Sequence, residues 1–272
     1  METTQPAIDR LTEQPPATAR VPRWLAPLGV GLLLAAGFAL MAALWAPDIV
    51  LRNRADEAYA TMPPVDFAPP DDRARRLPRV FETLQRGGTL RVVMLGDSIV
   101  KDASRSAWEQ ILMRENPRVK IVKFTSIANA TGCGFYKLPG NVERLVLRHR
   151  PDLVIIGGIS NGEAANVREV VSQIQAASKT EILLLTGPFG DGPDPTRGKD
   201  WRASRPQDGE YAQRLAAVAD ETGAGFVDLQ AAWGDYVFRA GKPLGFWKRD
   251  GIHSSAAGEQ IMGRILVRYF TP

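Results

Sequence analysis

From about residue 80 to the C-terminus, short apolar runs alternate with segments whose apolar residues recur at helical spacing. The runs TLRVVMLG (89–96), VKIVKFTSIA (119–128), PDLVIIGG (151–158), TEILLLTG (180–187) and GAGFVDL (223–229) predict strands. Between them, residues 104–116, 141–150, 163–178 and 209–223 predict helices, and an amphipathic segment after Lys248 closes the chain. Strands alternating with helices imply an α/β fold: a mostly parallel sheet of about five strands with helices on both faces, joined by right-handed crossovers. In such three-layer α/β/α sheets ligands bind beyond the carboxyl ends of the strands.

The pattern upstream is different. Trp24 to Pro47 contains no charged residue and is closed by Arg23 and Asp48. Roughly 20 apolar residues cross a bilayer as a helix, and Trp24 and Trp45 stand where interfacial aromatic anchors lie. A cleaved signal peptide needs a shorter apolar region and a small-x-small site, whereas this run ends on Leu44, Ala46 and Pro47. Residues 24–47 are therefore expected to be an uncleaved transmembrane anchor preceding the α/β domain. Arg10, Arg20 and Arg23 before the span slightly outweigh Arg52 and Arg54 after it. That balance predicts a single-pass protein of the inner (cytoplasmic) membrane with its domain on the periplasmic, extracytoplasmic side. Residues 1–23 read as a disordered tail, 48–80 as an extended Pro-rich linker and 81–272 as the domain.

Composition adds mainly exclusions. A hydrophobic fraction of 44% in 272 residues suits a globular core. The net charge of +4 comes from scattered arginines, not from a basic block interleaved with aromatics, which speaks against nucleic-acid binding. With a single cysteine, Cys133, there is neither an intrachain disulfide nor a cysteine-based metal site. Two distant histidines offer no recognisable metal ligand set, and no cofactor is expected.

The chemistry begins where the first strand ends, at Gly96-Asp97-Ser98. Taken alone this is turn chemistry, with Asp97 bonding turn amides. It is equally a way to hold Ser98 where a substrate reaches it, provided a base is near. His149 lies in LRHRPD at the basic end of a helix and suits a solvated or capping role. His253 lies in KRDGIHSS, three residues after Asp250, a spacing that a tight loop can fold so that the carboxylate reaches the ring. The same segment also reads as a turn and helix start, with Ser254 as the cap. Oxyanion donors are available after the second strand at Asn129, Gly132 and Gly134, and after the third at Asn161.

In this order the segments GDSIV, NATGCG, GGISNG and DGIH resemble the SGNH (GDSL-like) hydrolases, a family of serine esterases and acyltransferases, over about residues 88–272. The resemblance implies Ser98 as nucleophile, with Asp250 and His253 completing the triad. It implies an oxyanion hole of the Ser98 and Gly134 N–H groups and the Asn161 amide, Gly132 being the alternative glycine. Two features of the third block depart from the family's usual Gly-x-Asn-Asp: Ser160 adds a position before Asn161, and Gly162 stands where the following Asp is usual. The long Gly- and Pro-rich stretch 187–209 reads either as a surface loop or as part of the acceptor site through Arg197, Trp201 or Arg202, and Gly132 also borders the substrate.

The function so implied is acyl ester hydrolysis through an acyl-enzyme on Ser98, on O-acetyl groups of an exported or cell-envelope polysaccharide. Two alternatives accompany it: an O-acetyltransferase using the same triad with an integral-membrane acyltransferase or polysaccharide synthase partner, and a catalytically silent binding or assembly module.

Overall fold

The computed structural model describes residues 59–188 and 206–271. The expected anchor, residues 24–47, and the tail before it lie outside the described residues. No helix among the described residues is long and apolar enough to cross a membrane.

Five parallel strands form one sheet in the order β2-β1-β3-β4-β5. They are β1 (Gly88–Gly96), β2 (Val119–Ile127), β3 (Leu153–Ile156), β4 (Glu181–Leu185) and β5 (Gly225–Val227). All are close to the runs picked out by hydropathy, because a parallel sheet covered on both faces buries nearly every strand residue. Alternation then decides which face each residue serves. Leu90, Val92 and Met94 of β1, with Leu153 and Ile155 of β3, join one core. Val93, Leu95, Val154 and Ile156 join the other.

The first core is roofed by helices α2 (Pro78–Arg86), α3 (Ser98–Arg105), α4 (Trp108–Glu115), α9 (Leu229–Ala240) and α11 (Ala256–Phe270), which contribute Trp108, Trp233, Ile261 and Phe270. The second takes Tyr136, Val170 and Leu215 from α5 (Cys133–Tyr136), α7 (Ala164–Ala177) and α8 (Pro206–Thr222). Completing the chain order, α1 is Arg73–Arg76, α6 is Asn141–Leu145 and α10 is Leu244–Trp247.

The stretch read as a linker, 48–80, is corrected in its described part. From Tyr59 onward it packs on the first core, with Val65 and Leu77 buried and Met62 and Phe67 against them. The Tyr236 hydroxyl donates to Pro63 O at 2.7 Å, and Arg239 pairs with Asp66 at 2.6 Å. Proline favours extended backbone, but extended backbone with apolar side chains still docks where an apolar face is open.

Because β1 lies between β2 and β3, the loops that leave these three strands meet at one edge of the sheet. Ser98, Gly132 and Asn161 all follow them.

Candidate active site

Asp97 ends β1 in an extended conformation (φ −98°, ψ −164°) and caps α3 by accepting Ile99 N–H at 2.9 Å. Its other oxygen accepts Ile159 N–H at 2.9 Å and Ser160 N–H at 2.7 Å. One carboxylate, only 1% exposed, therefore caps the serine helix and ties down the loop after β3. That loop must approach closely. Gly158 has φ +108°, and a Cβ there would stand 2.4 Å from Asp97 Oδ1. Ser98 is left as the first residue of α3, with its N–H among the first-turn donors that have no partner inside the helix.

The partner histidine comes from the loop between α10 and α11. Lys248 and Ser254 pair across it as an isolated antiparallel bridge, and Arg249 N–H donates to His253 O at 3.1 Å. Inside this loop Asp250 Oδ1 accepts the N–H groups of Ile252 and His253 at 2.8 and 2.7 Å. His253 Nδ1 lies 2.8 Å from Asp250 Oδ2, and Nε2 lies 2.9 Å from Ser98 Oγ. The His253 N–H, then the Ile252 N–H, then the ring hold the Asp250 carboxyl far below the usual carboxylate range. An ionised Asp250 can only accept, so Nδ1 carries the ring proton and Nε2 is left to accept from the Ser98 hydroxyl. The segment is thus a turn, as its composition allows, and also the support of the histidine. The cap of α11 is Ser255, whose hydroxyl accepts Gly258 N–H at 3.3 Å, and not Ser254.

Asn161 is buried. Its Oδ1 accepts Cys133 N–H at 2.7 Å and its Nδ2 donates to Gly157 O at 3.0 Å, an arrangement that fixes the amide and leaves one Nδ2 hydrogen over. The glycine packed on it is Gly132, where a Cβ would lie 2.6 Å from Asn161 Oδ1 and 2.1 Å from Ser160 O. Gly134 is already inside α5, and a Cβ there meets only Asn166 Nδ2, at 3.4 Å. Of the two glycines, Gly132 is thus the one packed against the Asn161 loop, as the residue that precedes α5, while Gly134 lies within that helix.

The family pattern of the GDSL-like Lipase/Acylhydrolase family matches residues 94–261, from inside β1 to the first turns of α11. The chain belongs to that family. It is accordingly a carboxylic ester hydrolase. No curated protein matches this GDSL-like acylhydrolase.

Among solved structures it resembles a single-residue variant of Axe2, an acetyl xylan esterase from Geobacillus stearothermophilus, with a TM-score of 0.55 and 21% identity over 68% of this chain and 95% of that one. It also resembles a two-domain esterase active on acetylated mannans, with a TM-score of 0.55 and 17% identity over 72% of this chain and 52% of that one. At these identities the likeness is one of fold.

Arg197, Trp201 and Arg202 lie outside the described residues of the acylhydrolase. His149 is at the opposite end of β3, stacked on Phe124 with ring centroids 4.4 Å apart. Among the described residues no group of three or more His, Cys, Asp and Glu could hold a metal ion. Cys133 is buried, and desolvation pushes its thiol up to about 12, so it offers no thiolate.

Sequence reasoning missed Tyr136. Its hydroxyl donates to Gly96 O and accepts Ala128 N–H at 3.0 Å, joining the ends of β1 and β2 beneath the serine turn. The signal available was a tyrosine one helical turn after Gly132.

Proposed function

We propose that this acylhydrolase removes O-acetyl groups from a polysaccharide through an acetyl-enzyme on Ser98. The observation that carries the reading is the unbroken run of hydrogen bonds from Asp250 through His253 to Ser98 Oγ. His253 Nε2 takes the Ser98 proton as Oγ attacks the ester carbonyl, and the imidazolium is stabilised by the ionised Asp250. The Ser98 and Gly132 N–H groups and the spare Asn161 Nδ2 hydrogen receive the developing oxyanion, helped by the positive end of α3. His253 then returns the proton to the leaving sugar hydroxyl. Water, deprotonated by the same nitrogen, attacks the acetyl-enzyme and releases acetate.

The choice of acetyl on a polysaccharide is supported by the fold shared with esterases named for acetylated xylan and mannan. The proposed placement follows from the charge-free stretch 24–47, which would hold the domain against the outer face of the cytoplasmic membrane, beside exported polymer.

The test uses the full chain in detergent with an activated acetyl ester, followed by acetylated xylan and mannan oligosaccharides, with intact mass recorded over time. A transient single acetyl adduct at Ser98, absent in Ser98→Ala, and acetate release from the oligosaccharides are expected. Turnover retained by Ser98→Ala would overturn the mechanism. Acetyl moving to sugar hydroxyls in preference to water would replace hydrolysis by transfer.

A further inference from the structure

The triad does not explain the buried ion cluster behind it. Asp102 is fully buried on α3, one turn beyond Ser98 and hence on the same face. Its Oδ2 accepts the N–H of Ser254, the residue after His253, at 2.9 Å. Its Oδ1 receives Arg249, the residue before Asp250, at 3.1 Å, and also Arg105. Arg249 in turn donates to Ser254 O at 2.7 Å and reaches Glu259 on α11 at 3.3 Å, and Arg105 donates through Nε to the same Glu259 oxygen at 3.0 Å. Two carboxylates and two guanidiniums thus close a ring between the serine helix, the Asp-His loop and the last helix.

Asp102 holds the loop on both sides of its acid–base residues, by the backbone after His253 and by the side chain before Asp250. Its own helix begins with the nucleophile. We infer that Asp102 is a positioning residue that sets the distance between His253 Nε2 and Ser98 Oγ. The assignment rests on the reading of that pair as the reacting one.

The alternative is a buried ion cluster that serves stability alone. The two differ in where the loss appears. Asp102 touches neither Ser98 nor the His253 ring in the hydrogen-bond network, so its removal acts through the placement of His253. An error of about 1 Å at a reacting group costs up to roughly 100-fold in rate.

The experiment is a double-mutant cycle on the full chain in detergent, with an activated acetyl ester and rates normalised to folded protein from melting curves. Asp102→Ala is expected to lower kcat by about 10- to 100-fold with KM within about twofold. Combined with His253→Ala it should lower the residual rate by no more than about twofold, because the ring it positions is gone. Asp102→Asn, which keeps an acceptor for Ser254 N–H, should recover most of the loss. Arg249→Met removes the second hold at a half-exposed position and carries the same cycle should Asp102→Ala fail to fold. It is expected to lower kcat several-fold, again only when His253 is present.

An unchanged kcat in a folded Asp102 variant, or a loss of equal size without His253, would overturn the assignment. Turnover by Ser98→Ala in the same assay would instead sink the underlying reading of the site.

Discussion

The two halves of the Ser98–His253 pair are held by opposite means. Ser98 stands on a turn whose aspartate is 1% exposed, bonded to three backbone N–H groups, one in the first turn of α3 and two in the loop after β3, at the end of a strand paired on both sides. His253 stands on a surface loop, beside an Asp250 side chain that is 50% exposed and bonded only within its own turn. The sheet fixes the nucleophile, so its position is inseparable from the stability of the fold. The base is placed by short-range turn geometry and by what grips that turn from behind. Substitutions at the two ends should therefore separate rate from stability.

The sharpest separation is expected at Asp250. Asp250→Asn keeps the size of the side chain but lets Nδ1 become an acceptor, favouring the tautomer that cannot take the Ser98 proton. A fall in kcat of about 10³- to 10⁴-fold follows, with the melting midpoint nearly unchanged because the group is at the surface. Steady-state rates beside a thermal melt check both halves. A large loss of stability would show that the loop is part of the fold's core after all.

Next in size is the contrast between two glycines two residues apart. At Gly132 an added methyl would stand 2.1 Å from Ser160 O, so Gly132→Ala must displace the Asn161 loop. Loss of a single oxyanion donor costs about 10²- to 10³-fold in kcat, and Gly132→Ala is expected near the lower of these. Gly134→Ala meets only Asn166 at 3.4 Å and should leave kcat within about twofold. Equal losses would return the oxyanion role to Gly134.

The buried end is tested by Asp97→Ala. It leaves the N–H groups of Ile99, Ile159 and Ser160 without their acceptor, at a cost of about 3 kcal/mol. The expected readout is a melting midpoint lower by roughly 6–12 °C, with kcat reduced only as far as Ser98 shifts. An unchanged midpoint together with a collapsed rate would mean that Asp97 acts in the chemistry.

Much of this contrast was legible in the sequence, for a physical reason. Strands buried on both faces leave unbroken apolar runs, and a serine, an aspartate and a histidine placed at strand and helix ends have no core to fill. Features that depend on where a short element begins were not legible. Nothing in NATGCGFY says that α5 starts at Cys133, which is what separates Gly132 from Gly134. Helix α9 went unseen because it follows β5 without a break and carries Gly234 on its buried face. The prolines near residue 63 spoke for a spacer, while Val65, Leu77 and Val80 carried the packing. Asp102 was one turn from Ser98 in plain view, but its partners come from residues about 150 positions away.

The smallest expected effect is an absence of titration, and it tests whether the exposed half is ordered at all. Two backbone N–H groups and the histidine ring favour the charged form of Asp250, so its folded pKa lies below the unfolded value of about 3.9. The stability linked to this group is therefore fully present above about pH 4 and is lost only as the pH falls through the folded value. The carboxyl carbon resonance of Asp250 should accordingly stay flat from pH 7 to about pH 4, and any acid limb in kcat/KM over that range belongs to another group. A midpoint at the ordinary carboxylate value would mean that the Ile252 and His253 N–H bonds are not made in solution. In that case the loop would be open in the free enzyme, and the grip of Asp102 and Arg249 on it would be formed only when substrate binds.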